Sequence, residues 1–289
     1  MSTFLGQNFL TNESIAKKIL DSANLSKTDN ILEIGPGKGI LTKYLTEKAG
    51  KVLTVELDRD LAVELENKFS HFPISNATSS SSCYTCRRSS ASVLFPSGMG
   101  NSMKLCIIEG DILKINLPKI IEENNFQNYK VVANLPYYIT SKIIRLLLET
   151  KYPPQEMILM VQKEVGERIV ALDGKESLLS ISVKFYAEPK LLFYVDKKNF
   201  EPVPEVDSVV ISIKRKKRLS KVSPKKFFSL VRAGFLAKRK KLVNNLSASF
   251  RIPKANFSEI LDKIGIEPKV RAEKLNLKDW LRLYDKLFS

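Results

Sequence analysis

Four short apolar runs, each followed by a glycine or a polar side chain, constrain the fold of this chain most strongly. The residues at their ends are Gly35, Glu56, Asp111 and Asn134, after strands predicted at 30–34, 52–55, 105–108 and 131–133. Short apolar runs bounded by turn residues and separated by helical patterns are typical of buried strands in α/β proteins. Open α/β sheets bind ligands beyond the carboxyl ends of their strands. We therefore predict an α/β fold with a ligand crevice at these four strand ends.

The first strand runs into a glycine-rich turn, Gly35-Pro36-Gly37-Lys38-Gly39, which precedes a predicted helix. Glycines there allow a tight turn and a close approach to a ligand at the helix N-terminus. The spacing differs from the G-x-G-x-x-G of dinucleotide sites. At the next strand end, Glu56 is placed to accept hydrogen bonds from ribose hydroxyls, although it can also be an exposed helix-capping acid. Asp111 is placed to accept a hydrogen bond from an adenine amine.

The fourth strand leads into Asn134-Leu135-Pro136-Tyr137. Asn134 offers a carbonyl acceptor, Pro136 stiffens the backbone, and Tyr137 offers a ring on which a nucleobase can stack. This combination predicts a site that grips an exocyclic amine, and the alternative is an ordinary strand-to-helix turn. Phe200, in a later proline-stiffened loop, is predicted to form the second face of the base clamp, or alternatively to lie in the core.

Charge and composition restrict the partners. The chain carries a formal charge of +16, and thirteen basic residues without an acidic one lie between Lys214 and Lys241. Apolar residues interleave with them, which favours basic helices that bind nucleic acid over a solvated face or an anionic membrane surface. The sequence has no apolar run that would span a bilayer, no signal peptide and only three cysteines, so we expect a cytoplasmic protein.

A serine-rich stretch, residues 75–102, shows neither helical nor strand periodicity and is predicted to be a flexible insertion. It contains Cys83 and Cys86, with His71 and Cys106 nearby in the sequence. One CxxC pair is a weak zinc pattern, so we predict no metal site. Residues 1–218 are predicted to form the ligand-binding α/β domain, and 219–289 a small all-α domain that binds nucleic acid.

Several motifs together resemble the rRNA adenine N6,N6-dimethyltransferase family, over the whole chain except the serine-rich insertion. They are Gly6-Gln7-Asn8-Phe9-Leu10, Glu33 to Gly39, Val55 to Asp58, Gly110-Asp111, Asn134 to Tyr137, Phe200-x-Pro202-x-Pro204-x-Val206-x-Ser208 and Arg271 to Leu275. The resemblance implies a Rossmann-like methyltransferase sheet, mostly parallel with a reversed final strand, and a small helical C-terminal domain that binds RNA. It also implies S-adenosyl-L-methionine as methyl donor. The implied substrate is a pair of adjacent adenosines in the 3′-terminal hairpin loop of small-subunit rRNA, in a pre-ribosomal particle during ribosome biogenesis. We expect no membrane association and no obligate protein partner.

The resemblance also implies roles for single residues. Asn8 and Leu10 would contact the cofactor from an N-terminal arm, and Gly35 would lie against its methionine portion. Glu56 would bind the ribose hydroxyls, Asp111 the adenine amine, and Asn134 would bridge cofactor and target. The adenine N6 would be gripped by the Asn134 side chain and by the carbonyl of Leu135 or Pro136, with Tyr137 and Phe200 on either side of the ring.

Three alternatives stay open at this point. A macrolide-resistance methylase would dimethylate an adenine of large-subunit rRNA with the same core motifs, although Arg271 to Leu275 favours the small subunit. A DNA adenine methyltransferase would use a similar tetrapeptide, but the N-terminal arm and the Phe200 loop fit that class less well. A non-catalytic RNA-binding or transcription factor would keep the fold without needing Asn134, Tyr137 and Glu56 intact.

Overall fold

The structure, a computed structural model of the chain, describes residues 7–70, 85–86, 105–217 and 221–288, with the backbone alone at 85 and 86. The chain forms two compact units. The first comprises the residues up to Gly166 together with Lys190–Arg215, and the second comprises Glu167–Pro189 together with the residues from Lys216 onward.

The strands among the described residues are β1 (Phe9–Leu10), β2 (Asn30–Ile34), β3 (Lys51–Glu56), β4 (Thr85–Cys86), β5 (Leu105–Glu109), β6 (Tyr129–Asn134), β7 (Glu156–Gln162), β8 (Ala187–Val195), β9 (Phe200–Glu201) and β10 (Ser208–Arg215). The α-helices up to residue 186 are α1 (Glu13–Ser22), α2 (Ile40–Lys48), α3 (Arg59–Lys68), α4 (Leu117–Glu123), α5 (Thr140–Glu149), α6 (Lys163–Val170) and α7 (Leu178–Tyr186). The later helices are α8 (Pro224–Gly234), α9 (Leu242–Phe250), α10 (Lys254–Lys263) and α11 (Leu277–Phe288).

The main sheet has the order β4-β5-β3-β2-β6-β7-β10-β8 among the described residues. Neighbouring strands from β4 to β7 in this order pair in parallel. Strand β10 pairs antiparallel with β7. The predicted mostly parallel sheet with a reversed final strand is therefore confirmed. The strand order reverses between β2 and β6, which is the switch point where such sheets place their ligands.

Burial of both faces explains why the central strands are almost entirely apolar. Ile31, Leu32, Val131 and Val132 are all fully buried, as central parallel strands covered by helices on both sides require. A charged residue breaks this pattern: Glu33, inside β2, is also buried, with 1% of its surface exposed.

Helix packing explains the composition of the second unit. Its core contains Ile181 and Phe185 from α7 together with side chains from α8 to α11, and the Phe185 and Phe227 rings stack with centroids 4.7 Å apart. Residues 167–189 thus pack with the C-terminal helices, so the packing boundary differs from the predicted division at 218 and 219. The division of function between the two parts of the chain stays a prediction.

The four strands predicted at 30–34, 52–55, 105–108 and 131–133 match β2, β3, β5 and β6 to within two residues at each end. In the serine-rich stretch, Thr85–Cys86 forms a short strand beside β5, contrary to the expectation that this stretch contains no strand. The rest of that stretch, including Cys83, lies outside the described residues, and so does His71 before it. In the part of the chain that the structure describes, no helix is long and apolar enough to cross a membrane, and no three potential metal ligands cluster.

Candidate active site

A cavity with an empty volume of about 990 Å³ opens at the carboxyl ends of β2, β3 and β6 and beside the end of β5. Nine of the predicted site residues line it: Asn8, Leu10, Gly35, Glu56, Asp111, Asn134, Leu135, Pro136 and Tyr137. The structure therefore brings together, within the first unit, residues that the sequence scatters over 130 positions.

The glycine turn after β2 packs against the N-terminal arm. Gly35 has a φ of +66° and donates its N–H to the Val55 carbonyl at 2.9 Å. Gly37 has a φ of +56°, and a Cβ built on it would lie 2.8 Å from Cδ1 of Phe9. A side chain at Gly37 would thus collide with the arm, in a backbone conformation that L-residues rarely adopt.

Two backbone N–H groups fix the carboxylate of Glu56. It is 3% exposed, its Oε2 accepts from the Gly37 N–H at 3.0 Å, and its Oε1 accepts from the Asp58 N–H at 2.9 Å. Burial raises its pKa despite these hydrogen bonds. Asp58, not Glu56, caps helix α3, since its side chain accepts from the Asp60 N–H at 2.9 Å. The interpretation of Glu56 as an exposed helix cap is therefore wrong, while its role toward ribose stays a prediction.

Asp111 lies on the next strand end and is fixed by its own turn. Its Oδ1 accepts from the Leu113 N–H at 2.9 Å, and its Oδ2 lies 3.5 Å from the Nζ of Lys114. Carboxylate oxygens have further lone pairs, so these contacts leave acceptor capacity toward the cavity. Its role toward an adenine amine stays a prediction.

Glu33 is a cavity residue that the sequence reasoning did not include among the site residues. Its Oε2 accepts from the Thr42 hydroxyl at 2.7 Å, while Oε1 is buried without a hydrogen-bond partner. Burial raises the pKa of Glu33 to about 8, and the nearby Glu56 carboxylate acts in the same direction. Two buried carboxyl groups with unused acceptor capacity fit a cationic ligand. The available signal was an acidic residue inside an otherwise apolar strand.

The corner after β6 offers two acceptors. The Asn134 Nδ2 donates to the Asn8 carbonyl at 3.2 Å, which leaves Oδ1 without a hydrogen bond among the described residues. The Pro136 carbonyl already accepts from the Ile139 N–H at 3.3 Å and the Thr140 hydroxyl at 3.1 Å. The Leu135 carbonyl accepts no hydrogen bond from the described residues. Of the two carbonyls that the sequence left open, the Leu135 oxygen is therefore the one available to a ligand.

Two tyrosines follow this corner and differ in exposure. Tyr137 is half-buried, and its hydroxyl lies 2.8 Å from the Ser208 hydroxyl at the start of β10. Burial raises its pKa, so the phenol stays neutral at physiological pH. Tyr138 lines the cavity as well and is 58% exposed.

Phe200 does not lie where the base clamp requires it. It is 2% exposed, is not among the residues that line the cavity, and packs in the same core cluster as Leu10. The reason is the N-terminal arm, because β1 pairs with β9 and sets Leu10 opposite Phe200. The prediction of Phe200 as a second ring face is wrong for this structure, and its alternative, a core phenylalanine, is correct.

The second unit carries an exposed basic loop between α8 and α9, formed by residues 238–241. The buried Asn245 side chain holds the start of this segment, because its Nδ2 donates to the Gly234 carbonyl at 2.7 Å and to the Ala237 carbonyl at 3.0 Å. The four neighbouring positive charges therefore lie on a loop whose start is fixed by side-chain hydrogen bonds. Its function in RNA binding stays a prediction.

Comparison with known proteins gives one consistent set of relatives. A family model described as ribosomal RNA adenine dimethylase matches residues 1–78 and 92–288, and its gap falls in the serine-rich stretch. A protein of Dehalococcoides mccartyi named ribosomal RNA small subunit methyltransferase A is 39% identical over 281 residues, covering 96% of this chain and 86% of that protein. A protein of the same name from Fusobacterium nucleatum is 40% identical over 283 residues, covering 96% and 94%.

Solved structures agree with this picture. A dimethyladenosine transferase from Plasmodium falciparum superposes with a TM-score of 0.73 at 26% identity, covering 95% of each chain. The 23S rRNA methyltransferase ErmE superposes with a TM-score of 0.71 at 23% identity, covering 98% of this chain and 100% of its own. At that identity the second likeness supports the fold alone.

Proposed function

The chain belongs to the ribosomal RNA adenine dimethylase family, and we propose that it dimethylates the N6 atoms of adenines in small-subunit rRNA with S-adenosyl-L-methionine as methyl donor. The name shared by its relatives supports the small subunit as the source of the substrate. We extend the proposal to two adjacent adenosines in the 3′-terminal hairpin loop, methylated within a pre-ribosomal particle. The single observation that carries the proposal is the placement of Asn134 in one cavity with Glu33, Glu56 and the glycine turn.

The lining of the cavity fits a cationic nucleoside donor. When bound, S-adenosyl-L-methionine supplies an electrophilic methyl group on a positively charged sulfur. Glu33 and Glu56 are buried carboxyl groups with acceptor capacity left over, which suits a ligand that carries positive charge. Glu56 would hold ribose hydroxyls, Asp111 the adenine amine, and Asn8, Leu10 and Gly35 would pack against the rest of the ligand.

The corner after β6 would position the target amine. The N6 lone pair of adenine is delocalised into the ring, which makes this nitrogen a poor nucleophile. Asn134 Oδ1 and the Leu135 carbonyl are both free to accept hydrogen bonds from the two N6 hydrogens. Accepting both bonds favours a more tetrahedral nitrogen and stabilises the positive charge that develops on it. Tyr137 would form a wall for the ring of the base.

The proton that leaves N6 needs no dedicated general base, because it departs after the nitrogen has become positively charged. Tyr137 does not serve as that base, since its hydroxyl is bonded to Ser208 and its pKa is raised. A monomethylated adenine keeps one N–H, so one of the two acceptors would remain in use during the second transfer.

Replacement of Asn134 tests the proposal. Wild-type protein should transfer labelled methyl groups to small ribosomal subunits that lack the modification. Asn134→Ala should lower the transfer rate by roughly 100-fold or more, because one donor or acceptor at a reacting centre is commonly worth this much. RNA affinity should stay close to wild type.

Asn30→Ala is a matched control, because Asn30 begins β2, at the end of the strand far from the cavity, and among the described residues its side chain donates to the Asn128 carbonyl at 3.4 Å. It should transfer methyl groups at the wild-type rate. Equal rates for the Asn134 and Asn30 variants would contradict the assigned role of Asn134.

A further inference from the structure

Ser208 makes a contact that joins two distant parts of the first unit. It begins β10, it is fully buried, and its hydroxyl lies 2.8 Å from that of Tyr137. Hydroxyl pairs at this distance are well-formed hydrogen bonds. Ser208 also ends the Phe200-to-Ser208 stretch, in which no side chain reaches the cavity.

The bond fixes the ring of Tyr137 at its far end. The near end is already fixed, because Tyr137 follows Pro136 and opens a 3-10 turn (Tyr137–Ile139) that the Thr140 hydroxyl ties to the Pro136 carbonyl at 3.1 Å. A tyrosine side chain has two torsions, and holding both ends of the residue removes the freedom of both.

The anchor itself is rigid. Ser208 pairs with Gln162 of β7, and β7 pairs with β6, whose last residue is Asn134. The ring is therefore tied to β10 and the amine-gripping corner to β6, two strands of one sheet with β7 paired between them. Tyr138, the next residue, shows the contrast, because 58% of its surface is exposed.

This arrangement decides what Tyr137 offers to a ligand. Its hydroxyl points to a buried strand and is already bonded, so the ring is the part of the side chain left to interact across the cavity. Because Phe200 lies in the core, no second ring face from that loop supports a base in this structure. The orientation of the single wall then matters more for an unstacked purine.

We propose that Ser208 is a positioning residue that holds the Tyr137 hydroxyl and thereby sets the ring as the wall against which the target adenine stacks. The inference rests on the proposed function, because it takes an unstacked adenine as the ligand. It assigns to Ser208 an effect on the RNA substrate and none on the methyl donor.

A double-mutant cycle tests this role. Ser208→Ala and Tyr137→Phe each remove the same bond and should each lower kcat/KM for the RNA by roughly 3- to 10-fold, the range expected for one hydrogen bond. The double variant should be no slower than the slower single variant, because the second change has no bond left to remove. The Kd for S-adenosyl-L-methionine, measured by calorimetry, should stay at its wild-type value in all three.

Ser212→Ala is the matched control. Ser212 lies on the same strand, is 9% exposed and donates its hydroxyl to the Glu156 carboxylate at 2.7 Å, so its replacement also removes a hydroxyl hydrogen bond from β10. A general weakening of the strand would affect both serine variants alike. The proposal predicts that Ser212→Ala keeps the wild-type kcat/KM for RNA.

A binding measurement separates this inference from the proposed function. A hairpin RNA with 2-aminopurine in place of the target adenine reports stacking by the quenching of its fluorescence, without any transfer. Quenching should be weaker in Ser208→Ala and Tyr137→Phe than in wild type and Ser212→Ala.

Equal quenching in all four proteins, or rate losses that multiply in the double variant, would overturn the role of Ser208. If Ser208→Ala fails to fold, Tyr137→Phe still decides the matter. A wild-type protein that quenches the probe but methylates no small-subunit RNA would contradict the proposed function instead.

Discussion

Replacing Glu33 by glutamine should make the stability of the first unit less dependent on pH. Burial raises the pKa of this carboxyl from 4.5 to about 8, so in the absence of ligand the folded protein keeps it protonated at neutral pH. The unfolded chain ionises it above 4.5. Between these values folding takes up a proton, and stability therefore falls as pH rises, by about 1.4 kcal/mol per unit for one group.

The magnitude follows from the two pKa values. At pH 7 the cost of protonating Glu33 on folding is about 3 kcal/mol, and it vanishes below the unfolded pKa of 4.5. Glutamine has nearly the same shape, accepts the Thr42 bond with its carbonyl and never ionises. We expect Glu33→Gln to be more stable than wild type by up to about 3 kcal/mol at pH 7 and nearly equal to it at pH 4.5. Glu56 adds a slope of its own that both proteins share.

Urea unfolding without cofactor, followed by circular dichroism from pH 5 to pH 8, measures this difference. Trp280 is the single tryptophan and lies in the core of the second unit, so its fluorescence follows that unit separately. The variant should also bind S-adenosyl-L-methionine more weakly, because glutamine cannot ionise in response to the positive charge of the bound ligand, as the Glu33 carboxyl can. A stability difference that stays constant from pH 5 to pH 8, or wild-type cofactor affinity, would refute the account of Glu33 as a protonated carboxyl in the ligand site.

Two further predictions concern the arm and the basic loop. Gly37→Ala should destabilise the protein by about 1–3 kcal/mol and weaken cofactor binding, because the new methyl would lie 2.8 Å from the Phe9 ring at a φ of +56°; wild-type melting and affinity would show that the arm does not pack there in solution. Neutralising residues 238–241 should weaken RNA binding and reduce the salt dependence of its affinity by about 0.7–0.9 logarithmic units for each phosphate that the loop no longer neutralises. Replacing Lys238, Lys240 and Lys241 by arginine keeps the charge and should preserve the salt dependence of RNA binding. An unchanged salt dependence after neutralisation would place the RNA on another surface.

The strand ends were predictable from sequence because they combine two local signals. A buried strand needs an apolar run, and a turn beside a ligand needs glycine or a short polar side chain, so local patterns alone identify Gly35, Glu56, Asp111 and Asn134. The sheet then brings their ends together through parallel pairing, which makes the cavity a consequence of topology.

Other residues depend on contacts between distant parts of the chain, which local patterns do not show. Phe200 is buried because Leu10, in a strand 190 residues earlier, pairs with it. Ser208 reaches Tyr137 across 71 positions, and Asn245 shapes the basic loop from the following helix. From the sequence, the carbonyls of Leu135 and Pro136 were equally good candidates to accept a hydrogen bond from the target amine. The structure distinguishes them, because the Pro136 carbonyl already accepts hydrogen bonds within its own turn.

The most direct test of the central claim is the mapping of dimethyladenosine after wild-type protein and S-adenosyl-L-methionine act on total rRNA from cells that lack this modification. We expect two adjacent adenosines in the 3′-terminal hairpin loop of small-subunit rRNA, each carrying two methyl groups on N6. Methylation confined to a large-subunit adenine, or no methylation of rRNA at all, would contradict the account.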